Sequence, residues 1–325
     1  MVKTQRVNMP TVSIVIPTSG NRADLLRQAL KSVLTQTYHD YEIIVIENGP
    51  QERSKETVQE FIKSGTPIRY FYSSELNGAN ARNIGVRESK GQYIAFLDDD
   101  DTWFPEKLKE QVSFLKQNEL IGLVSCHCVR VKELEGVTDI LPTRSFNHIS
   151  YSTIVKNGPV IPSLSSVVMR RECFDKIGFF DPKFTISDDH EFYLRVAERY
   201  GIFILEEPLF YYRWHTSNIS KKSLRMYQEK VSILKSVRPE SSLGVSKADI
   251  HQSVLNYGNN FYALATGYKE KKQYIEAAEH YWAAVQCDPF VGLRITWSRM
   301  KNPIYRFIRP YILIFYCAVK CLRFV

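Results

Sequence analysis

The sequence predicts an α/β fold built on a largely parallel sheet and followed by a smaller helical region. Three observations carry this expectation. Short, almost wholly apolar runs recur (TVSIVIP, YEIIVIENG, IRYFYS, QYIAFL), as strands covered on both faces require. Segments of helical spacing separate them, the alternation that winds a parallel sheet between helical layers. Polar clusters follow several of the runs, where ligands of such sheets bind.

The elements follow in order. Residues 11–17 form the first strand, ended by Pro17 and the turn TSGNR. Leu25, Leu26, Ala29, Leu30, Val33 and Leu34 recur at helical intervals and predict the first helix. Residues 41–49 are a second strand closed by a turn, a polar helix reaches Ser64, and residues 68–73 are a third strand. Residues 79–90 read as a helix, and GQYIAFLDDDD is a fourth strand ending in Asp98, Asp99, Asp100 and Asp101. IGLVSCHCVRV alternates as a strand does, with Cys126 and Cys128 as small packing residues rather than metal ligands. From Lys221 the texture changes. Tyr268, Ala278, Tyr281, Ala284 and Pro289 stand where a tetratricopeptide-type helical hairpin would place them. The end, NPIYRFIRPYILIFYCAVKCLRFV, is apolar but interrupted, and its uncharged run Pro310–Val319 is about half of what a spanning helix needs. Arg306, Arg309, Lys320 and Arg323 suit an interfacial helix on an anionic membrane, or one packed on its own protein. Two domains are expected, 1–220 and a helical, basic 221–325.

Composition narrows the classes. Hydrophobic content of 44% and charged content of 24% exclude wholesale disorder. Six cysteines lack both zinc spacing and a disulfide framework. The net charge of +8 lies in the last third, where 17 Lys/Arg face 7 Asp/Glu, against 26 and 28 in the first 220 residues. Those basic residues are spread among helices without a recognition motif, so no nucleic-acid partner is expected. The N-terminal MVKTQRVNMP lacks the apolar centre of a secretory signal, and a cytoplasmic location is expected, peripheral on the inner face of the plasma membrane if the basic region docks there. Neither GxGxxG nor GxxxxGK[ST] occurs, which excludes a dinucleotide fingerprint and a P-loop.

Four adjacent carboxylates repel one another and demand solvation or a counter-ion. They read either as a solvated turn or as the seat of a divalent cation. Thr18–Asn21, Glu47–Gly49 and Asp98–Asp101 converge on one rim of the predicted sheet, as a nucleotide site needs.

The pieces VSIVIPTSGNR, LKSVLTQTYHDYEIIVIENG, NGANARNIGVRESKGQYIAFLDDDDTWFPEKL, SSVVMRRECFDKIGFFDPKF, SDDHEFYLRVAERYG and LFYYRWHTSNIS resemble, in family order, the family 2 inverting glycosyltransferases with a GT-A fold, a Rossmann-like mixed, mostly parallel sheet. The resemblance covers about residues 11–220. It implies transfer of a sugar from a nucleoside-diphosphate donor to a hydroxyl of a glycan or glycolipid acceptor, with inversion and with Mg²⁺ or Mn²⁺. The acidic run looks like the family's DxD element, with Asp98 and Asp99 facing ribose and metal, Asp100 the direct ligand, and Asp101 capping the next helix or shaping the loop. Asp189 maps to the catalytic base and Asp188 to the acid before it, on the acceptor side or supporting the base. The same SDDHE also makes a good helix start. Pro17, Thr18, Asn21, Glu47, Asn48 and Arg82 fall on the nucleotide side, joined by Asn83. Trp214 and His215 fall beside diphosphate and metal, His215 as a ligand.

Two departures stand out. Ser19 and Gly20 replace the aromatic that often stacks on the base, and Glu47 and Asn48 replace two aspartates. UDP is the leading donor nucleotide, with dTDP and GDP behind it. The alternative is a non-catalytic GT-A scaffold with an altered pocket.

Overall fold

The computed structural model describes residues 9–20, 22–132, 138–141, 147–158, 160–214, 224–270, 273–287 and 314. They group into two compact units, 1–154 with 159–218, and 155–158 with 219–325.

The first unit begins β1 (Val12–Thr18), α1 (Ala23–Leu34), β2 (Tyr41–Asn48), α2 (Lys55–Lys63), β3 (Ile68–Ser73), α3 (Gly78–Glu88) and β4 (Tyr93–Phe96). It continues through β5 (Thr102–Trp103), α4 (Lys107–Gln117), β6 (Ile121–Lys132), β7 (Thr138–Leu141) and β8 (His148–Ile149), and α5 (Tyr151–Asn157) begins in it and ends in the second unit. β9 (Val168–Arg170), α6 (Arg171–Ile177), α7 (Asp188–Ala197) and β10 (Gly201–Trp214) complete its elements. The sheet runs β3-β2-β1-β4-β9-β6-β10-β5, with β7 on β6 and β8 on β10. Strands β1 to β4 are mutually parallel, as is β6 with β10, whereas β9 and β5 run against their neighbours.

β1 is buried along its whole length and β2 over its last six residues, because these strands are β-branched on both faces and helices cover both sides. Leu26, Ala29, Leu30 and Val33 of α1 join that core, while Leu34 is left exposed. α3 lies directly on the sheet. A Cβ at Gly85 would come within 2.3 Å of Val15 Cγ1, so this close approach needs glycine. The two-residue β5 is absent from the sequence reading because two residues carry no periodicity.

The second unit holds α8 (Leu224–Ser236), α9 (Lys247–Glu270) and α10 (Tyr274–Cys287). α9 and α10 pack together, with Thr266 Oγ1 3.2 Å from the Tyr281 hydroxyl and the Tyr268 and His280 rings 4.9 Å apart. Among the described residues no helix is long and apolar enough to cross a membrane. The interfacial helix expected near the C-terminus lies outside the described residues.

Candidate active site

The C-terminal ends of β1, β2 and β4 bring Thr18, Asn48 and the Asp98–Asp101 turn to one rim. The turn closes where Asp101 N–H donates to Asp98 O at 3.1 Å. Ser165 Oγ accepts from Asp98 N–H at 3.0 Å. The four acids divide among several partners, with Arg22 shared by two of them. Asp98 takes Arg82, and Asp99 accepts from Thr18 Oγ1 at 2.6 Å and Arg22 at 3.2 Å. Asp100 takes Arg22 at 2.6 Å, and buried Asp101 accepts from Arg213 N–H at 3.0 Å. Asp101 therefore shapes the loop and ties it to β10. It does not cap the next helix, which starts only at Lys107 with Glu106 before it. Burial pushes the Asp99 carboxyl up to about 6 despite its bond from Thr18, with the Asp100 charge adding to the shift. Burial likewise raises Asp98 against the pull of Arg82, and lifts Asp101 well above the usual carboxylate range.

Arg82 joins the two acidic motifs. Its Nη2 lies 3.1 Å from Asp98 Oδ1 and its Nη1 2.9 Å from Asp188 Oδ2. α3 presents this guanidinium from a fixed position, because the Asn77 side chain caps its first turn through Asn80 N–H at 3.1 Å and Gly85 seats it on β1. Burial alone would lower the Arg82 pKa, but Asp188 and Asp98 raise it, so the guanidinium stays charged. Asp188 opens α7 and is 4% exposed; half-buried Asp189 follows, its Oδ1 accepting from His190 N–H at 2.7 Å.

Other residues singled out in the sequence turn inward. Pro17 is buried in β1 opposite Ile46. Glu47 is fully buried, and its oxygens accept from Arg53 N–H (2.6 Å), Ser54 N–H (2.8 Å) and the Tyr70 hydroxyl (2.5 Å). It thereby pins the loop entering α2. This also accounts for Gly20, which has φ +79° and whose added Cβ would meet Glu47 Oε1 at 2.1 Å. With its amide oriented to satisfy both neighbours, Asn48 donates to Thr18 O at 2.9 Å and accepts from Asn77 N–H at 3.2 Å. Asn83 is tied by both amide atoms to the Phe180 backbone, at 2.9 and 3.0 Å, rather than reaching toward a ligand. Trp214 ends β10 with the Arg130 guanidinium 5.0 Å over its ring. Asn21 and His215 lie outside the described residues.

Sequence reasoning missed Arg22, Arg213, Ser165 and Tyr193. Arg22 was the one cation in the turn after β1, a signal available but unread. Tyr193 stands one helical turn beyond Asp189, and its buried hydroxyl has no hydrogen-bond partner among the described residues. Burial, and then the nearby Asp189 charge, hold its phenol well above the usual range, in the neutral form.

The donor set suits a divalent cation. Asp98 and Asp100 are hard oxygen donors at a strand end with 30% and 14% of their side-chain surface exposed, and the Arg22 guanidinium already stands as a positive charge on Asp99 and Asp100. Among the described residues no group of three His, Cys, Asp or Glu is placed to hold a metal ion. Mg²⁺ does not require such a group, since it keeps waters and substrate phosphates in its shell.

A mostly parallel sheet of this order, with helices on its faces, is the architecture of the GT-A glycosyltransferases. The family model described as Glycosyl transferase family 2 matches residues 13–178, just over half of the chain, and the chain belongs to that family. It is 34% identical over 166 residues to an uncharacterized glycosyltransferase of Rickettsia bellii, a match spanning 51% of this chain and only 20% of that protein. The fold resembles residues 1–349 of S. aureus TarS in complex with UDP-GlcNAc, with TM-score 0.62, 13% identity and coverage of 93% of this chain and 89% of that one. It also resembles the mannosyltransferase PcManGT of Pyrobaculum calidifontis in complex with GDP-Man and Mn²⁺, with TM-score 0.59, 17% identity and coverage of 97% and 88%.

Proposed function

We propose that the protein transfers a sugar, with inversion, from a nucleoside-diphosphate donor to a hydroxyl of a glycan or glycolipid. The observation that supports this best is the Arg82 bridge, which puts the acids after β4 and the acids opening α7 on either side of one half-buried cation. The complexes of its structural relatives with UDP-GlcNAc and with GDP-Man and Mn²⁺ support a nucleotide-sugar donor and a divalent cation here too.

In this reading Thr18, Asn21, Arg82, Asp98 and Asp99 line the nucleotide, with Pro17 and Asn48 shaping the strand ends and Glu47 acting through the loop it pins. Asp98 and Asp100 hold Mg²⁺ or Mn²⁺, with His215 as a further ligand. The bound cation would offset the negative charge that develops on the leaving diphosphate. Asp189 takes the proton of the acceptor hydroxyl as its oxygen bonds to the anomeric carbon and the bond from that carbon to the diphosphate oxygen breaks. Attack from the face opposite the leaving group inverts the centre. Asp188 keeps Arg82 in place, and Trp214 stands beside the diphosphate or borders the acceptor side. The basic 221–325 region would dock the enzyme on an anionic membrane surface, where glycolipid acceptors reside.

Calorimetric titration of UDP, dTDP and GDP, with and without Mn²⁺, into wild type and Asp100→Ala tests this. Metal-dependent binding of one nucleotide, lost in the variant, is the expected result. Well-folded protein that binds none of the three would overturn it in favour of a non-catalytic scaffold.

A further inference from the structure

Arg22 holds a position that the proposed reaction does not explain. Its Nη1 lies 2.6 Å from Asp100 Oδ2 and 3.2 Å from Asp99 Oδ1, and its side chain is 24% exposed. It is thus a cation seated across two neighbouring carboxylates, one of which is the proposed metal ligand. Arg22 precedes α1 and makes no side-chain cap to it. Asp99 has a second partner besides Arg22, accepting from Thr18 Oγ1 at 2.6 Å. The two carboxylates need a positive charge more than the helix needs Arg22.

We infer that Arg22 is a built-in counter-ion that a divalent cation must displace, and that the displaced guanidinium then pairs with the donor diphosphate. The inference rests on the metal-assisted reading above and adds to it a residue and an order of events. A carboxylate already paired with a guanidinium is a poorer metal ligand, because the incoming ion must break that pair. If Asp100 turned to a bound cation, Arg22 would lose one anion, and the diphosphate of a bound donor would supply another. Two phosphate oxygens match the planar fork of arginine, which a lysine cannot reproduce. The exchange makes metal and donor binding mutually dependent. Metal alone competes with Arg22, whereas metal with donor offers Arg22 a replacement partner.

The test needs no turnover. Mn²⁺ binding to the nucleotide-free full chain is followed by electron paramagnetic resonance for wild type, Arg22→Gln and Arg22→Lys. Binding of UDP and of GDP is then measured at saturating Mn²⁺. The expected result is Mn²⁺ affinity raised by about tenfold in Arg22→Gln, the factor given by ~1.4 kcal/mol. Nucleoside-diphosphate affinity should fall by at least the same factor, with Arg22→Lys between the two on both counts. Equal or weaker Mn²⁺ binding by Arg22→Gln overturns the counter-ion role while leaving the metal reading intact. Unchanged nucleotide affinity in that variant overturns the diphosphate contact. Failure of wild type and both variants to bind Mn²⁺ overturns the metal reading and this inference together. Arg22→Lys, which keeps the charge, carries the comparison should Arg22→Gln fold poorly.

Discussion

Replacing Arg82 by methionine tests the link on which the site is built. The substitution keeps an unbranched stem and removes the guanidinium that holds Asp98 at 3.1 Å and Asp188 at 2.9 Å. Breaking a buried ion pair from one side costs ~3–5 kcal/mol, because it leaves the opposite charge buried without its ion partner. Asp188, with 5% of its side chain exposed, bears most of that cost; Asp98, at 30%, draws on water and bears a discounted share. The expected loss is about 4 kcal/mol, which in a unit of this size lowers Tm by roughly 8–16 °C. The pH dependence has a definite sign. Burial already raises the Asp98 carboxyl, and loss of Arg82 raises it further. A carboxyl whose folded pKa exceeds its unfolded value contributes stability that is lost as pH rises through the folded pKa. The deficit of the variant is therefore largest near neutrality and shrinks on acidification toward about pH 4, the ordinary aspartate value. Urea and thermal unfolding of chelator-treated wild type and variant, followed by circular dichroism, measure both quantities. A loss below about 1 kcal/mol, the scale of an exposed pair, or a deficit independent of pH would refute the buried bridge.

Three further outcomes are expected. Gly20→Ala strains a residue at φ +79° and drives a methyl into Glu47, so it should cost about 1–3 kcal/mol in urea unfolding and weaken nucleotide binding by calorimetry. Lys107 is fully buried and its ammonium is pushed down to about 8 by that burial. Its folded pKa lies below the unfolded one, so wild-type stability should rise from about pH 8 to about pH 10.5 by ~3 kcal/mol, a rise absent from Lys107→Met in parallel urea titrations. Asp189→Asn should lower kcat by about 10²–10⁴-fold while calorimetric binding of the donor nucleotide persists; loss of binding instead would assign Asp189 to the nucleotide rather than to proton transfer.

The first four strands of the first unit, the helices between them and β6 were legible because their signals are local, whereas β7 to β10 were not read as strands. β1, β2 and β3 announce themselves in unbroken β-branched and aromatic runs, and α1 in a stripe that repeats every three or four residues. The acids were legible for the same reason, since four consecutive aspartates after an apolar strand can be counted. Their division of labour was not. Asp98 to Asp101 are chemically identical side chains on one turn, and the chain alone gives no rule for which meets Arg82, which meets Arg22 and which sinks toward β10. Asn83 and Glu47 were open to misreading because a buried polar group looks the same in sequence whether it serves a ligand or the backbone of a loop.

By itself, then, the sequence determined the family, the alternation of strands and helices through β4, and the rim on which a charged site had to form; the order of the strands in the sheet came from the tertiary structure. Only the tertiary structure decided which charges meet. Arg82 reaches Asp98 across 16 residues and Asp188 across 106, and Arg22 reaches Asp99 and Asp100 across 77 and 78. Hydrophobic periodicity specifies which face of an element is buried, through apolar area alone and without direction. Ion pairing depends on ångström separations between elements, and those exist only once β1, β4, α3 and α7 have packed together.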